Sequence, residues 1–332
     1  MGYKNNNRGG TAFDAATASS MAFLNSQLEL PDMEIVKPMT SVTHKRDISI
    51  KFGGGYPQFL SAYATNYATT GGNEYGLQGT NNTEIPLTQV SISKGLWQAW
   101  IWSGGFSISH ADLERLKTAK AIGYPPPFSL QEMLEEGVSL TWEKAMDKVT
   151  YTGWEGQPGL VNNPNITSSL APNPGGGTTW ATKTPTQIQA DINFMLLQTV
   201  TNSVYSLEGM ADTILIPWSV NNALLQPMTT GGFSSILEFV LHNNIAKQNG
   251  IDLKIFPLPN DWIGTAGVGG VTRAVAYRNN EKTVKLRVPV APQKVLTMPT
   301  TRNGVSYETV YQACIGQVEF RRNQPFYYLD GV

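Results

Sequence analysis

Residues 129–151 read SLQEMLEEGVSLTWEKAMDKVTY. Ser129 and Glu132 stand at the spacing of a capping box, in which each side chain satisfies a free backbone N–H near the other. Behind them Leu130, Met133, Leu134, Val138, Trp142, Ala145, Met146 and Val149 recur at helical spacing. The pattern predicts one helix of about 20 residues, on the order of 30 Å long, which makes it the spine of whatever surrounds it. YPPPF (124–128) separates it from an earlier helix, ADLERLKTAKAIG (111–123). That helix opens on Ser109 and Asp112 and carries Leu113, Leu116 and Ala119/Lys120 on one stripe.

Downstream of the spine, GWEGQPGLVNNPN (153–165) and APNPGGGTTWATKT (171–184) are punctuated by Pro-Gly and Asn-Pro pairs and read as loop. Thr184-Pro185 with Gln187 opens a helix striped by Ile188, Ile192, Met195, Leu196, Val200 and Val204. ADTILIPW predicts a short buried strand over 212–217, and SVNNALLQP a brief helix after it. Ser235 with Glu238 caps ILEFVLHNNIAK, expected as one helix stopped at Asn249-Gly250. IDLKIF (251–256) reads as a strand. RAVAYR (273–278) and TVKLRVPV (283–290) are expected as the arms of a hairpin closed by Asn279–Lys282. From Arg273 to Arg302 seven basic residues face one acidic residue, Glu281, which is either a solvated strand face or an interface or anion site. The tail, YETVYQACIGQVEFRRNQPFYYLDGV (307–332), is rich in strand signals, with Gly316 marking a bulge or bend.

Upstream, HKRDISIKF (44–52) alternates at Ile48, Ile50 and Phe52 and predicts a strand. Residues 53–85 then hold seven Gly, four Tyr, four Asn, five Thr and only two charges, Glu74 and Glu84. A loop of that length is uncommon in a compact domain, and disordered segments are poor in aromatics. Tyr56, Tyr63, Tyr67 and Tyr75 therefore point to a segment that orders against a partner, as tyrosine does at interfaces. Residues 86–106 return as strand. Val90 and Ile92 share a face, and Trp97, Trp100 and Trp102 are assigned to a core, with a carbohydrate platform as the sharper alternative. Residues 1–40 read as an arm in which Phe23, Leu24 and Leu28 have helical spacing over a stretch too short to be stable alone.

Composition narrows the function. The 332 residues correspond to about two domains. Net charge is −1, so no basic field advertises nucleic-acid binding. Charged residues make up 15% of the chain, against about 25% in ordinary soluble domains. Mean hydropathy is nevertheless −0.21, so Asn, Thr, Ser, Gln and Gly supply the polarity. Such a surface is poorly protected against association and suits a subunit whose neighbours cover it. Cys314 is the single cysteine, which excludes an internal disulfide and a cysteine zinc site. His44, His110 and His242 are widely spaced. No run of 18 apolar residues crosses a membrane, and the first residues lack the apolar core of a signal peptide, which points to a cytosolic product. No nucleophile elbow, Walker loop, zincin motif or EF-hand is present. GTAGVGG (264–270) lacks the strand–helix context of a phosphate loop. No catalytic residue, metal or cofactor is expected.

The order of arm, long two-stranded excursion, spine helix, α/β block and returning strands resembles the major capsid protein of tailed bacteriophages, an α+β fold of the Hong Kong-phage type. GLVNNPN (159–165), ADTILIPWSVNNALL, SSILEFVLHNN, TRAVAYRNNEKTVKLRVPVAPQ and RRNQPFYYLDGV are similar to segments of that family in the same order. The resemblance implies an N-terminal arm (1–43) on a neighbouring subunit and an extended loop (44–95) over the next one. It implies a peripheral domain (96–152 with 305–332) and an axial domain (153–304) meeting its copies. Gly159, Leu160, Asn162, Asn163 and Pro164 would form the turn that leads into the axial domain. Candidate inter-subunit contacts are Phe13, Phe23, Leu24 and Leu28 on the arm and Tyr56, Phe59, Tyr63 and Tyr67 on the loop. The implied function is a self-assembling icosahedral head shell in the virion, built from pentamers and hexamers in the host cytoplasm. It would hold double-stranded DNA without reading its sequence, and it would work with a portal and a decoration protein. No charged helical scaffolding segment precedes residue 40, and Met1 argues against processing, so a separate scaffold protein is expected. No lysine lies between Lys51 and Lys94 for a loop cross-link, so a non-covalent shell is expected. An encapsulin-like nanocompartment, or a carbohydrate-binding virion protein using the tryptophans, is the alternative.

Overall fold

The computed structural model describes residues 40–70, 87–121, 130–173, 177–228, 234–299 and 305–332. Its helices are α1 (His44–Asp47), α2 (His110–Ala121), α3 (Leu130–Tyr151), α4 (Pro185–Asn202), α5 (Trp218–Leu224), α6 (Ile236–His242), α7 (Ile245–Gln248) and α8 (Asn260–Ile263). Its strands are β1 (Ile50–Phe52), β2 (Phe59–Thr70), β3 (Leu87–Ser109), β4 (Ser168–Leu170), β5 (Thr213–Pro217), β6 (Lys254–Leu258), β7 (Arg273–Tyr277), β8 (Val284–Val288), β9 (Val290–Pro299), β10 (Ser306–Gly316), β11 (Val318–Phe320) and β12 (Phe326–Asp330).

The strands form three sheets, ordered β2-β3-β10-β9, β1-β8-β11 and β4-β12-β7-β5-β6. The first is antiparallel throughout. In the third, β5, β7 and β12 are buried along their whole length, as expected of strands covered on both faces. Ile214, Ile216, Ala274, Ala276, Tyr327 and Leu329 pack into a core built on Ile188, Ile192, Met195 and Leu196 of α4. Their neighbours Leu215, Val275, Tyr277, Phe326 and Tyr328 pack into a second core with Trp142, Met146, Val149 and Tyr151 of α3 and with Val284, Leu286 and Val288 of β8. The spine α3 spans 22 residues, and burial begins at Val138: Val138, Trp142, Met146, Val149 and Tyr151 are covered while Met133 is exposed.

Three local expectations are corrected. Residues 44–52 do not form one strand. Asp147 of α3 accepts from the backbone N–H groups of Thr43 (3.3 Å) and His44 (2.9 Å) and lies 2.6 Å from His44 Nδ1, which winds 44–47 into a turn of helix. Only Ile50–Phe52 is strand, paired in parallel with β8. β7 and β8 are not a hairpin, because β7 pairs with β5 and β12 while β8 pairs with β1 and β11. The helix expected over 236–247 is two, since the Asn244 side chain donates to Val240 O and Leu241 O and accepts from Lys247 N. β12 joins the sheet built by residues 168–277, and its Phe326 and Tyr328 share the second core with the spine. Ser129, half of the expected capping box, is outside the described residues. The box at Thr184 is present: Thr184 Oγ1 accepts from Gln187 N, and Thr184 N donates to Gln187 Oε1.

Candidate functional site

The hairpin of β2 and β3 has one apolar and one small-residue face. Its register sets Phe59 opposite Gln98, Ser61 opposite Leu96, Tyr63 opposite Lys94, Thr65 opposite Ile92 and Tyr67 opposite Val90. Opposed residues share a face and successive residues alternate. Phe59, Tyr63, Tyr67, Val90, Ile92 and Leu96 therefore line one side. All six are exposed, Tyr63 and Tyr67 by 70% and 72%. The Lys94 ammonium sits 6.0 Å over the Tyr63 ring. The reverse side carries Ala62, Ala64, Asn66 and Ala68 against Gly95, Ser93, Ser91 and Gln89. Burying a large apolar side chain is worth about 1.5–3 kcal/mol, and a two-stranded ribbon is marginal alone in water. This face is bare in the single subunit. The hairpin leaves the body through Gly53, Gly54 and Gly55, whose φ values of +104°, +136° and +73° favour glycine. Tyr56, which follows, is exposed.

The tryptophans do not make a flat platform. Trp97 lies on the reverse face above Gly95. Trp100 and Trp102 turn the other way, half-buried against the second core, with Trp102 edge-on to Trp142 at 5.3 Å. Trp100 Nε1 donates to Glu155 at 2.9 Å.

The turn at 159–165 is locked from both sides. Asn162 Oδ1 accepts from Gly159 N at 2.7 Å, and its Nδ2 donates to Thr152 O at 2.8 Å. A Cβ on Gly159 would lie 2.4 Å from Tyr151 O, so only glycine fits there. Leu160 is fully buried, and its carbonyl accepts from Tyr328 Oη at 2.7 Å. Asn163 is buried and Pro164 exposed. Arg273 reaches Asp330 with Nε–Oδ1 2.6 Å and Nη2–Oδ2 3.0 Å, and its Nη1 donates to Val161 O. This buried pair is what ties the turn to β7 and β12. Sequence reading missed it, because the partners are 57 positions apart. Their placement inside strongly apolar strand runs was the available signal.

The basic run from Arg273 is mostly consumed within the subunit. Arg278 lies 3.4 Å from Asp212, Arg287 Nε 2.9 Å from the buried Glu319, and Lys285 3.8 Å from the same carboxylate. This is neither a solvated face nor, for these residues, an open anion site. Burial lowers the Lys285 pKa, Glu319 opposing it. Phe13, Phe23, Leu24 and Leu28 lie outside the described residues. Among those described, no group of three or more His, Cys, Asp or Glu could hold a metal, and no helix is long and apolar enough to cross a membrane.

A spine helix, a doubly covered sheet and a long hairpin with one bare apolar side define a subunit made to be covered by others, as in a protein shell. The family model described as major capsid protein matches residues 75–332, and the chain belongs to that family. The capsid of Myoviridae phage XM1 is similar in structure with a TM-score of 0.71 at 17% identity, over 92% of this chain and 98% of that one. A Microbacterium phage Oxtober96 chain gives 0.60 at 13% identity, over 93% and 98%. The capsid of a native GTA particle gives 0.57 at 10% identity, over 94% and 98%. No curated protein matches the sequence. The chain thus has the tailed-phage capsid fold and is a structural protein of the virion shell, assembled from copies of itself.

Proposed function

We propose that the chain assembles through pentamers and hexamers into an icosahedral head shell enclosing packaged double-stranded DNA. The bare apolar face of the β2–β3 hairpin carries this reading. In it, Tyr56, Phe59, Tyr63 and Tyr67 bury against the next subunit, and Phe13, Phe23, Leu24 and Leu28 do the same for the arm. The arm is 1–43, the extended loop 44–95, the peripheral domain 96–152 with 305–332, and the axial domain 153–304. β1 and β12 blur those boundaries, since each pairs with a strand of the axial segment. Gly159, Leu160, Asn162, Asn163 and Pro164 aim the chain from the spine into the axial domain. Obligate interfaces of this kind bury roughly 2,000–5,000 Å². Heterologous contacts that close under rotation give rings, and many weak contacts act together.

The chain catalyses nothing in this reading. A net charge of −1 suits containment of DNA rather than tight binding. A separate scaffold, a portal and a decoration protein complete the head, and synthesis takes place in the bacterial cytoplasm. The test is size-exclusion chromatography of the full chain with light scattering and negative-stain imaging of the heaviest fraction. Rings, sheets or closed shells are expected. A subunit that stays monomeric or trimeric at every concentration, and also with the phage's scaffold protein, overturns the reading. Shells that close unaided around protein cargo would instead indicate a nanocompartment. Mature particles boiled in detergent should run as one monomer band, because the loop has no lysine between Lys51 and Lys94 to cross-link. A covalent ladder would contradict that.

A further inference from the structure

Helix α4 ends in a backbone conformation its sequence does not favour. Helices that close through the left-handed region usually place glycine there. This one places Val204 and Tyr205, at φ +53° and +56°. For a β-branched residue that is an outlier held only by surrounding structure. The holding is visible. Ser203 N and Oγ both donate to Thr199 O, Val204 N donates to Thr201 O, and Tyr205 N donates to Val200 O at 2.9 Å. The side chains gain no burial in return, since Val204 is 87% and Tyr205 73% exposed, and Leu207 beside them is exposed too. Strain at a site where nothing inside the subunit benefits is a signature of contact with something outside it.

The geometry says where that contact falls. Val204, Ser206 and Glu208 form part of the wall of a cleft of about 770 Å³ whose lining continues onto Ala64, Asn66 and Ser93 of the hairpin. The loop and the hairpin therefore present one continuous surface. The rest of that lining is largely polar, with Lys94, Lys282, Arg321 and Arg322 beside Glu208. The exposed apolar groups of the loop are Val204, Tyr205 and Leu207, which fit a protein neighbour in a chain that assembles from its own copies. We propose that Val204 and Tyr205 are a strained knob held out to contact a second copy of this chain in the shell, beside the hairpin. This rests on the shell reading and adds a contact residue pair to it.

The experiment uses the full chain with two double variants, Val204→Gly with Tyr205→Gly and Val204→Asn with Tyr205→Asn. Glycine and asparagine both tolerate the left-handed backbone, so each variant relieves strain while removing the apolar knob. In dilute, unassembled subunit the melting temperature should hold or rise, by about 1–3 °C. Light scattering against concentration should show the assembly threshold raised at least about tenfold in both variants. A purely structural loop would give the opposite pairing. If the variants assemble at the wild-type threshold, or melt clearly below wild type, the knob is overturned while the shell stands. If the wild type itself never assembles, with or without scaffold, the shell reading fails and the knob falls with it.

Discussion

Tyr151, Tyr277 and Tyr328 put their hydroxyls where a phenolate would meet no water. Burial raises the pKa of all three, and the charge of Asp47 adds to it for Tyr151 and Tyr277. Tyr151 Oη donates to Asp47 Oδ2 at 2.5 Å, Tyr277 Oη to the Asp47 carbonyl, and Tyr328 Oη to Leu160 O. An unfolded tyrosine loses its proton near pH 10. Above that value the unfolded chain binds fewer protons than the folded one, so stability falls as pH rises. The contribution is intact below about pH 10 and declines above it by up to about 1.4 kcal/mol per pH unit for each tyrosine. A phenolate absorbance titration should show these three of the chain's 13 tyrosines ionising only with loss of circular dichroism. Smooth ionisation of all 13 in folded protein would contradict the arrangement. The sequence announced these residues as strand or helix members but not their polar partners. Asp47 sits in a run that alternates like a strand, and only the adjacent Arg46 together with Tyr151, met through the fold, explains why a carboxylate is buried there. The same holds for Arg273, whose charge looked surface-bound until Asp330 supplied a fork.

At the scale of elements, signals that close within a few residues were readable, and those that close across the chain were not. The spine helix and the Thr184–Gln187 box depend on neighbours three or four positions away. The β7–β8 hairpin was a local guess defeated by distant competitors, since β12 pairs with β7 and β1 with β8. The β2–β3 hairpin was legible as a segment apart from the compact body, because tyrosines and near-absent charge mark it. Its register, and so the division into an apolar and a small-residue face, was not. That division yields a sharp expectation. Tyr63→Ser with Ile92→Ser removes two members of the bare face, and because both are exposed the dilute subunit should keep its urea midpoint, with stability changed by no more than about 0.5 kcal/mol per site. Assembly monitored by light scattering should nevertheless shift to higher concentration. A subunit destabilised by several times that amount would mean the face is already packed at home.

The whole molecule is held together by one sheet that belongs to two cores. Chain order suggests separable parts, and the length alone corresponds to about two domains. The fold threads against that division: β12, the last strand, lies between β4 and β7, and β5, β7 and β12 send alternate side chains into opposite cores. Neither core can open without baring one face of strands that the other still needs. The spine, the central sheet and helix α4 should therefore melt as one unit. Calorimetry of the unassembled subunit should give a single main transition whose calorimetric and van't Hoff enthalpies agree. Ile192→Ala provides the sharper check, because Ile192 is fully buried in the core on α4, remote in chain order from the spine. The loss of packing should cost about 2–5 kcal/mol and move the entire transition downward. Were the second core independent, a peak from Trp142, Tyr151 and their neighbours would stay behind at the original temperature, and the shared sheet would be a boundary between domains rather than the bond between them.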